Sequence, residues 1–184
     1  DDGSLPFVSG VPDREGTHFG RQVWGHPLYQ WEKQRDVVSF WKSRLDYLVE
    51  LFDWVRFDHV KGFFHYGVMD VKDESGDSFK DGPGNIVFED LVAYSHAIGL
   101  HIFVEDSGIE THAFLSVLRK IRVPGIKIIR FLLKNRMQSV YTGSLQTVAY
   151  TTTHDTETLI GYLHKVKPAR KQILASLTRT KYSP

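Results

Sequence analysis

Trp54-Val55-Arg56-Phe57-Asp58-His59 (WVRFDH) is a short apolar run that ends in an acid. The pattern returns at His101-Ile102-Phe103-Val104-Glu105-Asp106 (HIFVED), and again at Thr147–Asp155 (TVAYTTTHD). Each run is rich in β-branched and aromatic residues and reads as a strand. Helical periodicity fills the intervals. Val37, Phe40, Trp41, Leu45, Leu48 and Phe52 recur largely at three- and four-residue steps, so residues 36–53 read as a helix. Residues 85–96 read as a second helix, with Gly99 just past its end suited to stop it. A third spans 111–121 and is broken by Pro124-Gly125, before a strand at Lys127–Leu133. Thr156–Lys165 reads as a helix begun by a hydroxyl cap. Strands alternating with helices imply a parallel α/β sheet. Residues 1–31, rich in Gly, Pro and aromatics, read as one long loop, and residues 67–85 as another.

Three of the strands place a carboxylate at their carboxyl end: Asp58, Glu105 and Asp155. In α/β folds that rim carries the ligand and the chemistry. An acid after a strand also serves to cap a helix or close a turn, so position alone leaves both readings open. Carboxylates grouped on one rim suit glycosyl transfer. One attacks the anomeric carbon, a second protonates the leaving oxygen, and a third can grip sugar hydroxyls as the ring distorts. Arg56, two residues before Asp58 and therefore on the same face of the strand, would keep a nucleophilic carboxylate ionised.

Bulk properties narrow the field. The 184 residues are 41% hydrophobic and carry a net charge of +1, enough for a core and too balanced for a nucleic-acid partner. The basic stretch Lys165–Lys171 reads as a solvated helix end. Cysteine is absent, which excludes disulfides and thiolate metal sites and suits a reducing compartment. The nine histidines form no HExxH or comparably spaced ligand set, so no metal site of that kind is expected. No apolar run approaches a membrane span, and DDGSLPFVSG lacks the basic and apolar regions of a signal peptide.

The motifs in order carry a resemblance. Arg56-Phe57-Asp58-His59-Val60-Lys61-Gly62-Phe63 resembles the Arg-x-Asp-His-Phe-Arg-Gly-Phe segment of amylomaltases and plant disproportionating enzymes, the 4-α-glucanotransferases of glycoside hydrolase family 77. Glu105-Asp106-Ser107-Gly108 resembles their Glu-Asp-Leu-Gly, and Thr153-His154-Asp155 their Gly-Thr-His-Asp. Gly10-Val11-Pro12, followed by Gln22-Val23-Trp24-Gly25-His26-Pro27-Leu28-Tyr29-Gln30-Trp31, is similar to their loop Gly-Val-Pro-Pro-Asp…Gln-x-Trp-Gly-Asn-Pro-Leu-Tyr-x-Trp. Gly82-Pro83-Gly84 and Pro124-Gly125 also fall in order, so the likeness runs from about Val8 to about Tyr162. There are departures. Gly67 follows Tyr66 where the family has Trp, Lys61 replaces the second Arg, Thr156 stands for Asn, and Asp13-Arg14-Glu15-Gly16 replaces a Pro-Asp-aromatic stretch.

The resemblance implies a (β/α)₈ barrel, of which this chain would cover the middle and later strands. It implies one partial catalytic domain over 1–184, with a substrate-groove loop region at 1–35, core βα units at 36–165 and a C-terminal segment at 166–184. Asp58 would be the nucleophile, Glu105 the general acid/base and Asp155 the transition-state stabiliser. Arg56, His154, Trp24 and Tyr66 would bind substrate, with His59 in a structural role. The implied reaction moves α-1,4-glucan segments between maltooligosaccharides derived from starch or glycogen, with glucose as an acceptor, in the cytoplasm or, in a plant or alga, the plastid. The resemblance implies no cofactor and no metal for it. Two alternatives stand beside it: an α-glucan hydrolase, in which water takes the acceptor's place, and a non-catalytic glucan-binding relative.

Overall fold

A computed structural model describes residues 4–13, 20–106, 112–128 and 147–177. These fall into two compact units, Asp1–Ile121 and Arg122–Pro184. Within the first unit the strands are β1 (Phe7–Val11), β2 (Gln22–Val23), β3 (Trp54–Phe57), β4 (His65–Asp70), β5 (Ser78–Asp81) and β6 (His101–Val104). Its helices are α1 (Gln34–Val49), α2 (Gly84–Ala97) and α3 (His112–Lys120). The second unit holds β7 (Gly125–Ile128), β8 (Thr147–Tyr150), α4 (Leu159–Lys165) and α5 (Pro168–Leu177).

The strands form three separate sheets. β3 pairs with β6 in parallel, from Trp54 opposite His101 to Phe57 opposite Val104. β7 pairs in parallel with β8. The third sheet is antiparallel, in the order β2-β1-β4-β5. The expectation of a (β/α)₈ barrel is therefore overturned. A closed barrel needs one continuous parallel sheet with every strand bonded on both sides. Here the described residues give two isolated parallel pairs and an antiparallel sheet, with none of the three closed on itself.

The two regions read as loops also need correction, because residues 7–11 and 22–23 of the first and residues 67–70 and 78–81 of the second lie in the antiparallel sheet. Two glycines permit a close backbone approach within this sheet. Gly10 lies opposite Gly67. A Cβ on Gly67 would stand 2.1 Å from the Gly10 carbonyl oxygen and 2.8 Å from Pro12 Cδ. Position 67 thus has no room for a side chain unless β1 shifts. Gly67→Ala is expected to lower stability by about 1–3 kcal/mol, because the obstructing atoms are mainly backbone. A urea unfolding curve checks this through its midpoint.

The first helix, expected over 36–53, runs Gln34–Val49, so Phe52 lies beyond it and is exposed, as is Phe40, whereas α2 and α3 lie where expected. Along α2 the buried residues are Val87, Phe88, Leu91, Val92 and Ser95, one continuous face at helical spacing. The Ser95 hydroxyl is satisfied by donating to the Val92 carbonyl at 2.9 Å. The helix stops in a Schellman turn. Gly99, at φ +87°, donates to the His96 carbonyl and Leu100 donates to that of Ser95. This delivers the chain into β6 at His101. Under the β3–β6 pair, Phe57, Phe63 and Phe88 are buried, and Phe63 stacks with Phe57 and meets Phe88 at 5.7 Å. Trp41 of α1 joins them at 5.1 Å from Phe57. Each buried aromatic stabilises the unit by about 1.5–3 kcal/mol, and together they fix the level at which β3 ends.

In the second unit Tyr162 is buried against Leu159, Leu163 and Val166. The hydroxyl cap is Thr158, which accepts from the Gly161 N–H at 3.2 Å, so the helix starts at Leu159 rather than Thr156. Of the strand expected at Lys127–Leu133, Lys127 and Ile128 lie in β7, and residues 129–133 fall outside the described residues, as do Ser107 and Gly108 of the Glu105 motif and residues 14–16. Among the described residues no helix is long and apolar enough to cross a membrane.

Candidate active site

The parallel register of β3 and β6 sets two of the acids side by side. Phe57 and Val104 are opposite each other, and the Glu105 N–H extends the ladder by donating to the Phe57 carbonyl at 2.9 Å. Asp58 and Glu105 therefore emerge at the same level from the carboxyl ends of neighbouring strands. Arg56 joins them. Its Nη2 hydrogen-bonds Asp58 Oδ1 and lies 3.2 Å from Glu105 Oε2. Two carboxylate oxygens on one nitrogen stand no farther apart than two hydrogen-bond lengths end to end, about 6 Å. The guanidinium is screened from solvent, its side chain 15% exposed. Glu105 is nearly as covered at 18%, whereas Asp58 is open at 51%.

His59 completes the cluster through its backbone. It adopts the left-handed conformation, φ 44° and ψ 48°, which a non-glycine residue holds only where its surroundings demand it. That turn aims its N–H at Glu105 Oε2, 3.0 Å away. Its ring meets the Trp24 indole edge to face, centroids 4.9 Å apart. Trp24 is itself fixed by its N–H to the Ser9 carbonyl and by its indole Nε1 to Gln22 Oε1, yet it remains 36% exposed. The structure thus brings together Arg56, Asp58, His59, Glu105 and Trp24.

Tyr66 is not joined to that group by any hydrogen bond or ring contact. It lies on β4 opposite Lys80, with its phenol held above the usual pKa first by burial and then by the negative charge of Glu32. In the second unit, His154 and Asp155 occupy an exposed turn after β8, His154 Nε2 3.3 Å from Asp155 Oδ1. Thr156 shapes that turn. Its hydroxyl accepts from the Thr153 N–H at 2.9 Å and donates to the Thr153 carbonyl at 3.0 Å. Among the described residues no group of three or more His, Cys, Asp or Glu could hold a metal ion.

Sequence reasoning missed a second ionic cluster in the first unit. Arg21 Nε donates to Asp77 Oδ2 at 2.6 Å, and Asp77 Oδ1 accepts from the Asp70 N–H at 2.9 Å. The bond from Arg21 is the main cause that holds the Asp77 carboxyl below its ordinary pKa, against the opposing effect of burial. A carboxyl lowered on folding stabilises fully above its unfolded value and loses that contribution as pH falls through the folded one. Stability should therefore decline progressively below about pH 5. Asp77→Asn should be less stable at neutral pH and show a shallower decline in acid. Melting temperatures of both proteins at pH 7 and pH 4 check the difference.

A carboxylate pair at the carboxyl ends of adjacent parallel strands is an arrangement that glycosyl transfer can use. The family model for glycoside hydrolase family 77, 4-alpha-glucanotransferase, matches residues 9–183, and the chain belongs to that family. A 4-alpha-glucanotransferase of Streptococcus pneumoniae serotype 4 is 30% identical over 97% of this chain and 36% of its own length. The Thermus thermophilus protein of that name is 29% identical over 95% and 36%. The chloroplastic/amyloplastic one of Solanum tuberosum is 30% identical over 85% and 28%. The chain thus spans about a third of the length of these relatives. Among solved structures, the amylomaltase of Streptococcus agalactiae, in complex with acarbose, superposes with a TM-score of 0.73 at 24% identity, covering 98% of this chain and 37% of that one. The Corynebacterium glutamicum amylomaltase gives 0.70 at 19%, covering 97% and 25%. At these identities the structural likeness is one of fold.

Proposed function

We propose that this chain carries catalytic residues of a 4-α-glucanotransferase that moves α-1,4-glucan segments between maltooligosaccharides with retention of configuration. The observation that carries the reading is the placement of Asp58 and Glu105 on one nitrogen of Arg56. A separation capped at about 6 Å suits the 5–5.5 Å of retaining enzymes and is short for the 6.5–9.5 Å of inverting ones. Asp58, the more open of the two, is the nucleophile, and its carboxylate displaces the leaving oxygen at the anomeric carbon to give a glycosyl ester. Glu105, the more covered, gives its proton to that oxygen. It then takes a proton from the 4-hydroxyl of the acceptor as the sugar leaves Asp58.

Arg56 keeps the nucleophile charged and in place. Trp24 offers a half-open indole on which a pyranose face can stack. Asp155 and His154 take their roles from resemblance: Asp155 grips sugar hydroxyls in the transition state and His154 hydrogen-bonds the donor sugar. Tyr66 is proposed as a substrate contact on the same ground. Maltooligosaccharides and glucose are the proposed partners.

The test is incubation of the protein that carries this chain with maltotriose, followed by chromatography. Glucose together with oligosaccharides longer than the substrate is the expected product pattern. Glucose and maltose without elongation would replace transfer by hydrolysis. Absence of turnover by the folded protein would leave glucan binding alone.

A further inference from the structure

Trp24 stands at the end of a very short strand. β2 has two residues and bonds only to β1, at the edge of its sheet. The family-like segment begins at Gln22, and the residue just before it, Arg21, belongs to none of the motifs above. Yet Arg21 makes an extensive side-chain anchorage. Besides Asp77 Oδ2, its guanidinium reaches Asp77 Oδ1 at 3.3 Å, the Asp70 carbonyl at 3.0 Å and Glu74 Oε1 at 3.5 Å. The Asp77 side chain is only 7% exposed, so the pair is formed in a sheltered place. Its partners lie at the end of β4 and in the turn before β5, about fifty residues away in sequence.

We propose that Arg21 and Asp77 are positioning residues that set glucan affinity by strapping the short edge strand to the β4–β5 hairpin and so holding Trp24 against His59. The inference rests on the functional reading above. The chain of contacts is continuous: Arg21 is covalently two residues from Val23, Trp24 follows, its ring meets that of His59, and the His59 N–H donates to Glu105. A fork of two charged hydrogen bonds is directional, which a single flexible cation would not be. Because Trp24 would touch a sugar rather than the reacting bond, loosening it removes binding common to ground and transition states. Such a loss raises KM and leaves kcat nearly unchanged.

The experiment is a double-mutant cycle in the protein that carries this chain. Arg21→Ala should raise KM for maltotriose about tenfold, equivalent to 1.4 kcal/mol, with kcat within about twofold. Arg21→Lys should recover only part of the loss. In a Trp24→Ala background, Arg21→Ala should add nothing, since the strap would have nothing left to place. Additive effects on KM, or a fall in kcat at unchanged KM, would overturn the proposal. A second readout needs no turnover. Acrylamide quenching of the fluorescence assigned to Trp24, by difference from Trp24→Phe, should increase in Arg21→Ala. Unchanged quenching would also overturn the proposal, whereas increased quenching in a protein that does not act on maltotriose would sustain the strap and refute the functional reading. If Arg21→Ala does not fold, the isosteric Asp77→Asn carries the same comparisons.

Discussion

Replacing Asp58 with Asn is expected to lower transfer between maltotriose molecules by on the order of 10⁴-fold or more, the scale of losing a nucleophile that acts as one unit with its partners. The amide has the size of the carboxylate and can still accept the hydrogen bond from Arg56 Nη2, so the end of β3 should keep its shape. What it lacks is the charged, nucleophilic oxygen that the proposed mechanism uses to displace the glycosidic oxygen. The loss should therefore appear in kcat, with sugar binding measured by calorimetry close to that of the parent. Transfer within tenfold of the parent would remove Asp58 from the nucleophile's place and leave Arg56 holding a structural ion pair.

Glu105→Gln is expected to slow formation of the glycosyl ester by about 10²–10⁴-fold, the contribution of a positioned general acid. Glutamine keeps a carbonyl oxygen that can accept from the His59 N–H and from Arg56, so the local framework is conserved. It has no proton to give at neutral pH. A substrate whose leaving group departs as a stable anion, such as an α-maltosyl fluoride, needs no such proton. The variant should turn over that substrate with a much smaller deficit than maltotriose. Equal deficits on both substrates would show that Glu105 shapes the site and does not transfer the proton.

The parts of this molecule that sequence made legible are those governed by local chemistry. WVRF and HIFV announce strands because β-branched and aromatic residues crowd into four positions before an acid, and both strands formed where expected. The face of α2 was legible in part, from Phe88, Leu91 and Val92 though not from Ala93, which is exposed, and its stop from Gly99. The two-residue step from Arg56 to Asp58 predicted a shared face, and the side chains do meet. The barrel expectation failed because closure is a statement about which strands bond to which. A pattern of alternating elements specifies parallel direction and says nothing of closure. The antiparallel sheet was hidden for another reason. Its strands are short, two of them carry a glycine and two end in Asp, so propensity is weak there, and Gly10 and Gly67 meet in a close backbone approach. Arg21 and Asp77, 56 residues apart, gave no signal at all. The left-handed turn at His59 was equally silent, although the residue itself stood inside a recognised motif.

The pinch between Gly10 and Gly67 makes two strands depend on each other. A tryptophan at position 67 would collide with the main chain of β1 before contributing any contact of its own. Only a shift of β1 would make room for it, so what position 67 accepts is decided by where β1 lies. Attempts to graft a relative's groove residues onto this chain one at a time should therefore fail at position 67, whereas transplanting β1 and β4 as a pair keeps the two surfaces matched.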